Sequence, residues 1–224
     1  MYIMECKQVS FRYGPEEPLI IEDLSLAVEK GTCLVVEGDN GCGKTTLFRI
    51  LNGLSFPVEG SFWFDGIQIT EKYLKKNANA KQFHKRVGYL FQNPDLMLFH
   101  AKVYDEIAFG PRQMGLSDGE VDRRVRDCLK LFQLEQLTDK VPFHLSGGQK
   151  KMAALACVMA LNPEVLVLDE PYAGLDRKTG SWLTEFLKEL KTAGKTLILS
   201  THDKGETKEY GDFVLNLNQN KSGQ

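Results

Sequence analysis

The segment VVEGDNGCGKTTLFRIL, residues 35–51, places a glycine-rich loop between an apolar strand and a helix-forming stretch. Residues 38–45 match the spacing G-x-x-x-x-G-K followed by Ser or Thr, in which glycines let backbone N–H groups surround phosphate oxygens. The loop therefore predicts a triphosphate site within a strand–loop–helix unit, and a flexible glycine turn is the alternative. The predicted ligand-binding residues are Gly38, Asp39, Asn40, Gly41, Cys42, Gly43, Lys44, Thr45 and Thr46.

Within this loop, two side chains have expected roles in handling the phosphates. Lys44 is expected to reach the β- and γ-phosphates, and the Thr45 hydroxyl is expected to hold Mg²⁺. The helix that begins after the loop adds a partial positive charge at its N-terminus. The predicted ligands are therefore a nucleoside triphosphate and Mg²⁺.

Apolar runs separated by helical patterns predict a parallel sheet. Residues 1–9 form a predicted edge strand, and Asp65-Gly66 predicts a hairpin turn after residues 61–64. The other predicted strands are 19–28, 33–36, 87–91, 165–168, 196–200 and 213–217, with helices at 43–54 and near 178–193.

Residues from 95 to about 162 have a helical pattern. Apolar residues from Val121 to Phe132 recur at helical spacing. Ser117 and Glu120 precede this run at the spacing of a capping box. These features predict that the helix begins near Ser117.

Polar residues follow three predicted buried strands. Asp169 and Glu170 follow residues 165–168, and carboxylates at the end of a buried strand are costly unless they have a function. Asp169 suits a Mg²⁺ contact, and Glu170 suits the base for an attacking water. Gln92 is a candidate for metal or water and His202 for the γ-phosphate, because open α/β sheets bind ligands at strand carboxyl ends. The alternatives are a solvent-facing acidic strand end and ordinary loop residues.

The sequence LSGGQ, residues 145–149, precedes a helix rich in small residues. Serine and glycines at a helix N-terminus form an exposed anion site, and an ordinary N-cap with a glycine turn is the alternative. The candidate residues are Ser146, Gly147, Gly148 and Gln149.

Composition excludes several classes of protein. The net charge of -2 gives no electrostatic footprint for nucleic acid, so no nucleic-acid partner is expected. The longest apolar run, residues 152–161, is about half of the roughly 20 residues that a membrane-spanning helix needs. No signal peptide is visible, and the five cysteines show no CxxC spacing, so a reduced cytosolic setting is expected.

Together, the phosphate loop, LSGGQ, VLVLDEP (165–171), AGLD (173–176) and STHD (200–203) resemble the ATP-binding subunit of ABC transporters over nearly the whole chain. The resemblance implies a single domain over residues 1–224. Its fold would be α/β: a P-loop NTPase (RecA-like) core with a parallel sheet, an antiparallel β subdomain and an α-helical subdomain at about 95–162.

The same resemblance implies roles in a head-to-tail dimer with ATP between the subunits. Ser146 would cap the γ-phosphate bound by the other subunit, and Asp176 would lie in the loop at the dimer seam. Tyr13, in FRYG, resembles the aromatic residue that stacks on adenine, and a core tyrosine is the alternative.

Residues 87–99 and 103–117 are similar to energy-coupling factor importers and to the related cobalt and nickel importers. This resemblance implies a pair of ATPases, a transmembrane scaffold and a small substrate-binding membrane protein, with this chain on the cytoplasmic face of the membrane. Leu96, Met97, Leu98 and Phe99 would form part of the groove for the scaffold, and packing beneath the helical subdomain is the alternative.

The chain departs from the family pattern at several positions. Leu96-Met97 replaces a frequent Asp-Gln, Met152 replaces an arginine, and Cys42 replaces a serine. A C-terminal extension found in many vitamin-system ATPases is also not expected, because the printed sequence ends soon after His202. These departures bear on the cargo and on the pairing partner.

The expected function is ATP hydrolysis that drives uptake of a micronutrient, either a cobalt or nickel ion or a vitamin such as biotin. A soluble ABC ATPase, for example in iron–sulfur cluster assembly, is the first alternative. The stretch between Gln92 and Ser146 is too short for the long coiled coil of DNA-repair members. A non-catalytic regulator is the second alternative, and the filled catalytic positions argue against it.

Overall fold

The structure is a computed structural model that describes residues 1–201 and 210–218. Its centre is a five-stranded parallel sheet with the strand order β6-β7-β8-β3-β9. This sheet confirms the predicted parallel core. Its strands are β3 (Cys33–Glu37), β6 (Val87–Leu90), β7 (Val165–Leu168), β8 (Thr196–Ser200) and β9 (Phe213–Asn216).

Side chains on the two faces of this sheet belong to two different apolar cores. Leu166 and Leu168 of β7 pack with the helices of one core, whereas Val165 and Val167 pack with the other. Successive residues of a strand point to opposite faces, so a continuously apolar strand fits a sheet that is covered on both sides.

A second, antiparallel sheet has the order β2-β1-β4-β5. The prediction that residues 1–9 form an edge strand is wrong, because Met4 pairs with Val28 on one side and with Phe64 on the other. The Asp65-Gly66 hairpin is confirmed, and both residues have positive φ angles of 49° and 77°. The strands are β1 (Tyr2–Phe11), β2 (Ile21–Glu29), β4 (Glu59–Phe64) and β5 (Ile67–Gln68).

Helix α1 (Lys44–Leu51) begins directly after the glycine-rich loop and ends three residues before the predicted end. Asn52 follows the helix, and Gly53 has a left-handed φ of 63°, which stops the helical path. Two helices were not predicted, α2 (Glu71–Leu74) and α3 (Asn77–Arg86). Only Phe83 of these two helices is buried, so they carry little apolar periodicity.

The segment 95–162 contains α4 (Val103–Gln113), α5 (Asp118–Leu131) and α6 (Gly147–Met159), and α7 (Arg177–Thr192) follows later. Ser117 is the N-cap of α5, as predicted, but the capping box is wrong. The Ser117 hydroxyl donates to Glu120 Oε2 at 3.1 Å, and no side-chain cap bond to the backbone is made. In the part of the chain that the structure describes, no helix has the length and apolarity needed to cross a bilayer.

The parallel register places the ends of four strands at one edge. Val36 pairs with Ser200, and Leu90 pairs with Leu168. The glycine-rich loop, Gln92 and the Asp169-Glu170 pair therefore leave the sheet side by side. This edge is the location expected for a ligand site in an open α/β sheet.

We predict that Gly60→Ala lowers the free energy of unfolding by at least about 3 kcal/mol, from left-handed strain and steric overlap combined. Gly60 has a φ of 77°, and an added Cβ would collide with the carbonyl oxygens of Lys7 and Gln8. Gly66→Ala is the matched control, since Gly66 also has a φ of 77° but has open space around the Cβ position. The control is expected to cost about 1 kcal/mol in urea unfolding. Equal losses in both variants would contradict the steric argument.

Candidate nucleotide site

The glycine-rich loop has the backbone shape of an anion cradle. Gly38 has a φ of 153°, and a Cβ at this position would lie 2.5 Å from the sulfur of Cys42. Gly43 is the N-cap of α1 with a φ of 113° and makes no side-chain cap bond, so the first amides of the helix remain available to a ligand. The Cys42 side chain, within the loop, is buried in one of the two apolar cores. The loop therefore fits a phosphate chain through backbone N–H groups.

Lys44 is buried with its ammonium folded over this loop. The Nζ atom donates to the carbonyl oxygen of Gly38 at 2.6 Å and to that of Asp39 at 3.1 Å. Both acceptors belong to the cradle, so the charge sits where phosphate oxygens would enter it. Asp39 N in turn donates to Asn218 Oδ1 at 3.1 Å, which ties the loop to the residues after β9.

Asp169, at the end of β7, is only 1% exposed and is held by two hydroxyl groups. Thr45 Oγ1 donates to Asp169 Oδ2, and Ser200 Oγ donates to Asp169 Oδ1, both at 2.7 Å. Burial, followed by the charge of Asp169, raises the pKa of Tyr89. The carboxylate is therefore buried with both of its oxygens satisfied, as a charge in this position requires.

Ser200 is a site residue that the sequence analysis missed. Its hydroxyl oxygen also accepts a hydrogen bond from Glu170 N at 2.9 Å, so one serine orients two neighbouring acidic residues. Its sequence signals were its position at the end of the apolar run of β8 and its place in the STHD motif, and neither indicates its partners.

Glu170 has a φ of 46°, which is left-handed and strained for a non-glycine residue. Gln92 Nε2 donates to Glu170 Oε2 at 3.3 Å. The structure thus brings together two residues that are far apart in sequence, as predicted from their places at strand ends. His202 lies outside the described residues.

These groups surround a cavity of about 440 Å³, a size that suits a small-molecule ligand. Thr45, Asp169 and Gln92 give the cavity the oxygen donors that Mg²⁺ prefers. The lining residues are Ile20, Asn40, Gly41, Gly43, Lys44, Thr45, Thr46, Gln92, Asp169 and Glu170.

Tyr13 lies beside the same loop. Its ring is 55% exposed and packs edge-on against Phe11 at 5.0 Å, so the alternative of a core tyrosine is wrong. The Tyr13 hydroxyl and Thr46 Oγ1 are 3.2 Å apart. An exposed ring next to the cradle is available for stacking on a planar ligand.

The LSGGQ segment forms a well-defined helix N-terminus. The Ser146 hydroxyl accepts from Gln149 N at 3.3 Å, and Gln149 Oε1 accepts from Ser146 N at 3.0 Å, which is a complete capping box. Asp176 is the N-cap of α7, and its carboxylate accepts from both Thr179 N and the Thr179 hydroxyl. These hydrogen bonds from Thr179 lower the pKa of the Asp176 carboxyl.

Ser146 and Asp176 line a cavity of about 410 Å³ that is separate from the cavity at the glycine-rich loop. Gly148 and Gln149 line this second cavity as well, but none of its lining residues borders the first one. The structure therefore divides the predicted nucleotide-binding residues of one chain between two places.

A third surface feature is an apolar groove of about 330 Å³. Leu96 and Phe99 are 70% and 66% exposed on it, whereas Met97 and Leu98 are half-buried and pack against the helical core. Packing beneath the helical subdomain is thus confirmed for Met97 and Leu98, and Met97 also lines the groove. The role of the exposed Leu96 and Phe99 in binding a scaffold stays a prediction. Phe109 from α4 contacts Phe99 at 5.3 Å and extends the groove.

Curated proteins of similar sequence bind ATP and serve transporters. A sequence profile described as ABC transporter matches residues 21–173. The nickel import ATP-binding protein LarO of Lactiplantibacillus plantarum is 43% identical over 212 residues, which cover 95% of this chain and 88% of LarO. The energy-coupling factor transporter ATP-binding protein EcfA of Methanocaldococcus jannaschii is 42% identical over 214 residues, which cover 96% of this chain and 75% of EcfA.

Two solved structures of ABC transporter proteins are also similar to this chain. For cbiO1 of Clostridium perfringens, part of the ABC transporter complex cbiONQ, the TM-score is 0.82 at 34% identity, covering 96% of this chain and 84% of cbiO1. A dimeric ATP-binding cassette in a post-hydrolysis state, bound to ADP and phosphate, gives a TM-score of 0.86 at 27% identity. The match covers 95% of this chain and 93% of the cassette.

We predict that Ser200→Ala lowers the free energy of unfolding by about 2–3 kcal/mol and also lowers ATPase activity, because a charged acceptor loses its partner. Ser10→Ala is the matched control. Ser10 is also buried, but its hydroxyl accepts from a neutral amide, Asp23 N, at 3.0 Å. The control is expected to cost about 1 kcal/mol in urea unfolding and to leave ATPase activity unchanged. Retention of full activity in Ser200→Ala would contradict this role.

Proposed function

This chain belongs to the ABC transporter family, and we propose that its ATPase activity drives uptake of a micronutrient across the membrane. The cargo class is a cobalt or nickel ion, or a vitamin such as biotin. The similarity to a nickel import protein and to an energy-coupling factor protein supports this choice. Residues 1–224 would work as one ABC ATPase domain. Both relatives are named as transport proteins, so the comparisons do not favour the alternative of a soluble ABC ATPase in iron–sulfur cluster assembly.

The observation that carries the proposal is the separation of two half-sites. The cavity at Lys44 is lined by the glycine-rich loop and the acidic residues. The exposed N-terminus of α6 at Ser146 lines another cavity. In a head-to-tail dimer, Ser146 of a second copy or of a related ATPase would meet the γ-phosphate held by Lys44. The dimeric cassette bound to ADP and phosphate supports this arrangement.

Within such a site, each residue has a distinct role. Glu170 would accept a proton from water as the water oxygen attacks the γ-phosphorus and the bond to ADP breaks. Gln92, which already contacts Glu170, would orient that water. Lys44 and His202 would stabilise the charge on the γ-phosphate.

The remaining ligand roles concern the metal and the base. Thr45, Asp169 and Gln92 would hold Mg²⁺, which when bound neutralises phosphate charge. Tyr13 would stack on adenine, and Asp176 would lie at the seam between the two copies. Catalysis would then depend on positioning and electrostatics, without a covalent intermediate.

The apolar groove is the proposed docking site for the transmembrane scaffold, which would also carry the substrate-binding membrane protein. Leu96 and Phe99 leave large apolar side chains exposed on the groove, and exposed apolar patches mark interaction sites. Phe91, the residue directly before Gln92, lines the groove, so a change at the γ-phosphate would have a short path to it. The chain would then sit peripherally on the cytoplasmic face of the membrane.

We predict that Glu170→Gln retains ATP binding, loses at least about 100-fold in hydrolysis rate and accumulates a dimer, because the base is removed while the cradle stays intact. Size-exclusion chromatography with ATP and a phosphate-release assay measure both effects. Glu185→Gln, an exposed acid on α7 that pairs with Lys188 at 2.9 Å, is the control and should behave as wild type. Hydrolysis at the wild-type rate in Glu170→Gln would refute the role of this residue.

We also expect Phe99→Asp to abolish co-purification with the membrane scaffold, because it places a charge in an apolar groove. Val58→Asp is the control, since Val58 is a similarly exposed apolar residue away from the groove. Matching thermal melting curves would confirm that both variants fold. Retention of the scaffold by Phe99→Asp would argue against docking at this groove.

A further inference from the structure

Lys151 is a buried charged residue to which the proposed mechanism gives no role. It lies in the second turn of α6, five residues after Ser146, and is 3% exposed. Its ammonium donates to the carbonyl oxygens of Glu170 and Ala173, both at 2.9 Å. The helix that begins with the Ser146 anion site therefore holds the turn that carries the predicted base.

The charge of Lys151 is costly where it lies. Burial lowers the pKa of Lys151, and the nearby carboxylates of Glu170 and Asp169 act in the opposite direction. In the described part of the chain, Lys151 has no ion pair within 4 Å. A neutral amide side chain would bond to carbonyl oxygens without the desolvation of an ammonium. The position of the ammonium near the two carboxylates offsets part of this cost, and its two hydrogen bonds join α6 to the turn after β7.

The turn that Lys151 holds is strained and tightly closed. Glu170 has a φ of 46°, and Ala173 N donates to Glu170 O at 3.2 Å. Lys151 contacts the two residues at the ends of this turn, residues 170 and 173. Strained backbone persists only where its surroundings over-determine it, and these two bonds are part of that support.

We propose that Lys151 is a positioning residue for Glu170 and that it links the two ATP sites of the dimer. Ser146 at the start of α6 would contact the ATP held by the other copy. Lys151 on the same helix holds the base that acts on the ATP of its own copy. Closure on one nucleotide would thus set the geometry of the base at the other. This inference rests on the proposed dimer.

The test uses the full chain with its native partners and three variants. Lys151→Met removes the charge and the donors, and Lys151→Arg keeps both. Lys195→Met is the control, because Lys195 lies away from both cavities and its ammonium likewise donates to a carbonyl oxygen, Asn162 O, at 3.3 Å. Lys195 is half-buried rather than buried, and it also donates to Asn162 Oδ1 at 2.6 Å. The measurements are kcat, KM and the Hill coefficient for ATP hydrolysis, with binding of a fluorescent ATP analogue.

We expect kcat of Lys151→Met to fall at least about tenfold, because a small displacement of a reacting group has an effect of this size. KM and ATP affinity should stay within about threefold, since the cradle is unchanged. The Hill coefficient should fall to about one, because the link between sites is lost. Lys151→Arg should recover part of kcat, and Lys195→Met should match wild type.

Two results would overturn the proposal. One is wild-type kcat and cooperativity in Lys151→Met. The other is parallel loss of melting temperature, ATP binding and kcat that Lys151→Arg does not rescue, which would indicate a purely structural role.

A separate measurement distinguishes this inference from the proposed function. Dimer formation by Glu170→Gln with ATP should survive the added Lys151→Met change, because Ser146 and Lys44 remain. A Glu170→Gln chain that, in the presence of ATP, pairs neither with a second copy nor with the related ATPase of its native complex would overturn the dimer and the link together. A normal dimer combined with wild-type kcat in Lys151→Met would overturn only the role of Lys151.

Discussion

The architecture of the site depends on one buried carboxylate. Asp169 is enclosed at the end of β7, and hydroxyl groups from α1 and β8 satisfy its two oxygens. A buried charge without such partners costs several kcal/mol, so this hydrogen-bonded arrangement fixes the relative positions of three chain segments. The glycine-rich loop, the strained turn at Glu170 and the end of β8 are therefore held as a unit.

Much of this unit could be predicted from sequence, because its parts are local motifs. The loop spacing predicted the strand–loop–helix unit, and polar residues after apolar strands predicted that Gln92, Asp169 and Glu170 would meet. The ABC family also followed from short motifs. Residues whose role depends on partners far away in sequence were missed. The sequence around Ser200 and Lys151 does not predict which groups their side chains contact.

The wrong predictions about the fold also concern features that no local sequence pattern contains. The position of β1 in its sheet depends on pairing with β4, about fifty residues later, which the pattern of residues 1–9 does not contain. Helices α2 and α3 are nearly all exposed, so no apolar stripe marked them. At Ser117 the spacing was right, but a carboxylate accepts a hydroxyl hydrogen as readily as it accepts a backbone one.

At Glu170, whose backbone is left-handed, selection for stability and selection for activity oppose each other. An asparagine or glycine would relieve about 1 kcal/mol or more of conformational strain at that position, which would raise the free energy of unfolding. In the proposed mechanism turnover needs the carboxylate of Glu170, so glutamate at this position exchanges some stability for activity. Under that mechanism, selection for thermal stability alone would favour replacements of Glu170 that abolish ATP hydrolysis, so a screen should select for stability and activity together.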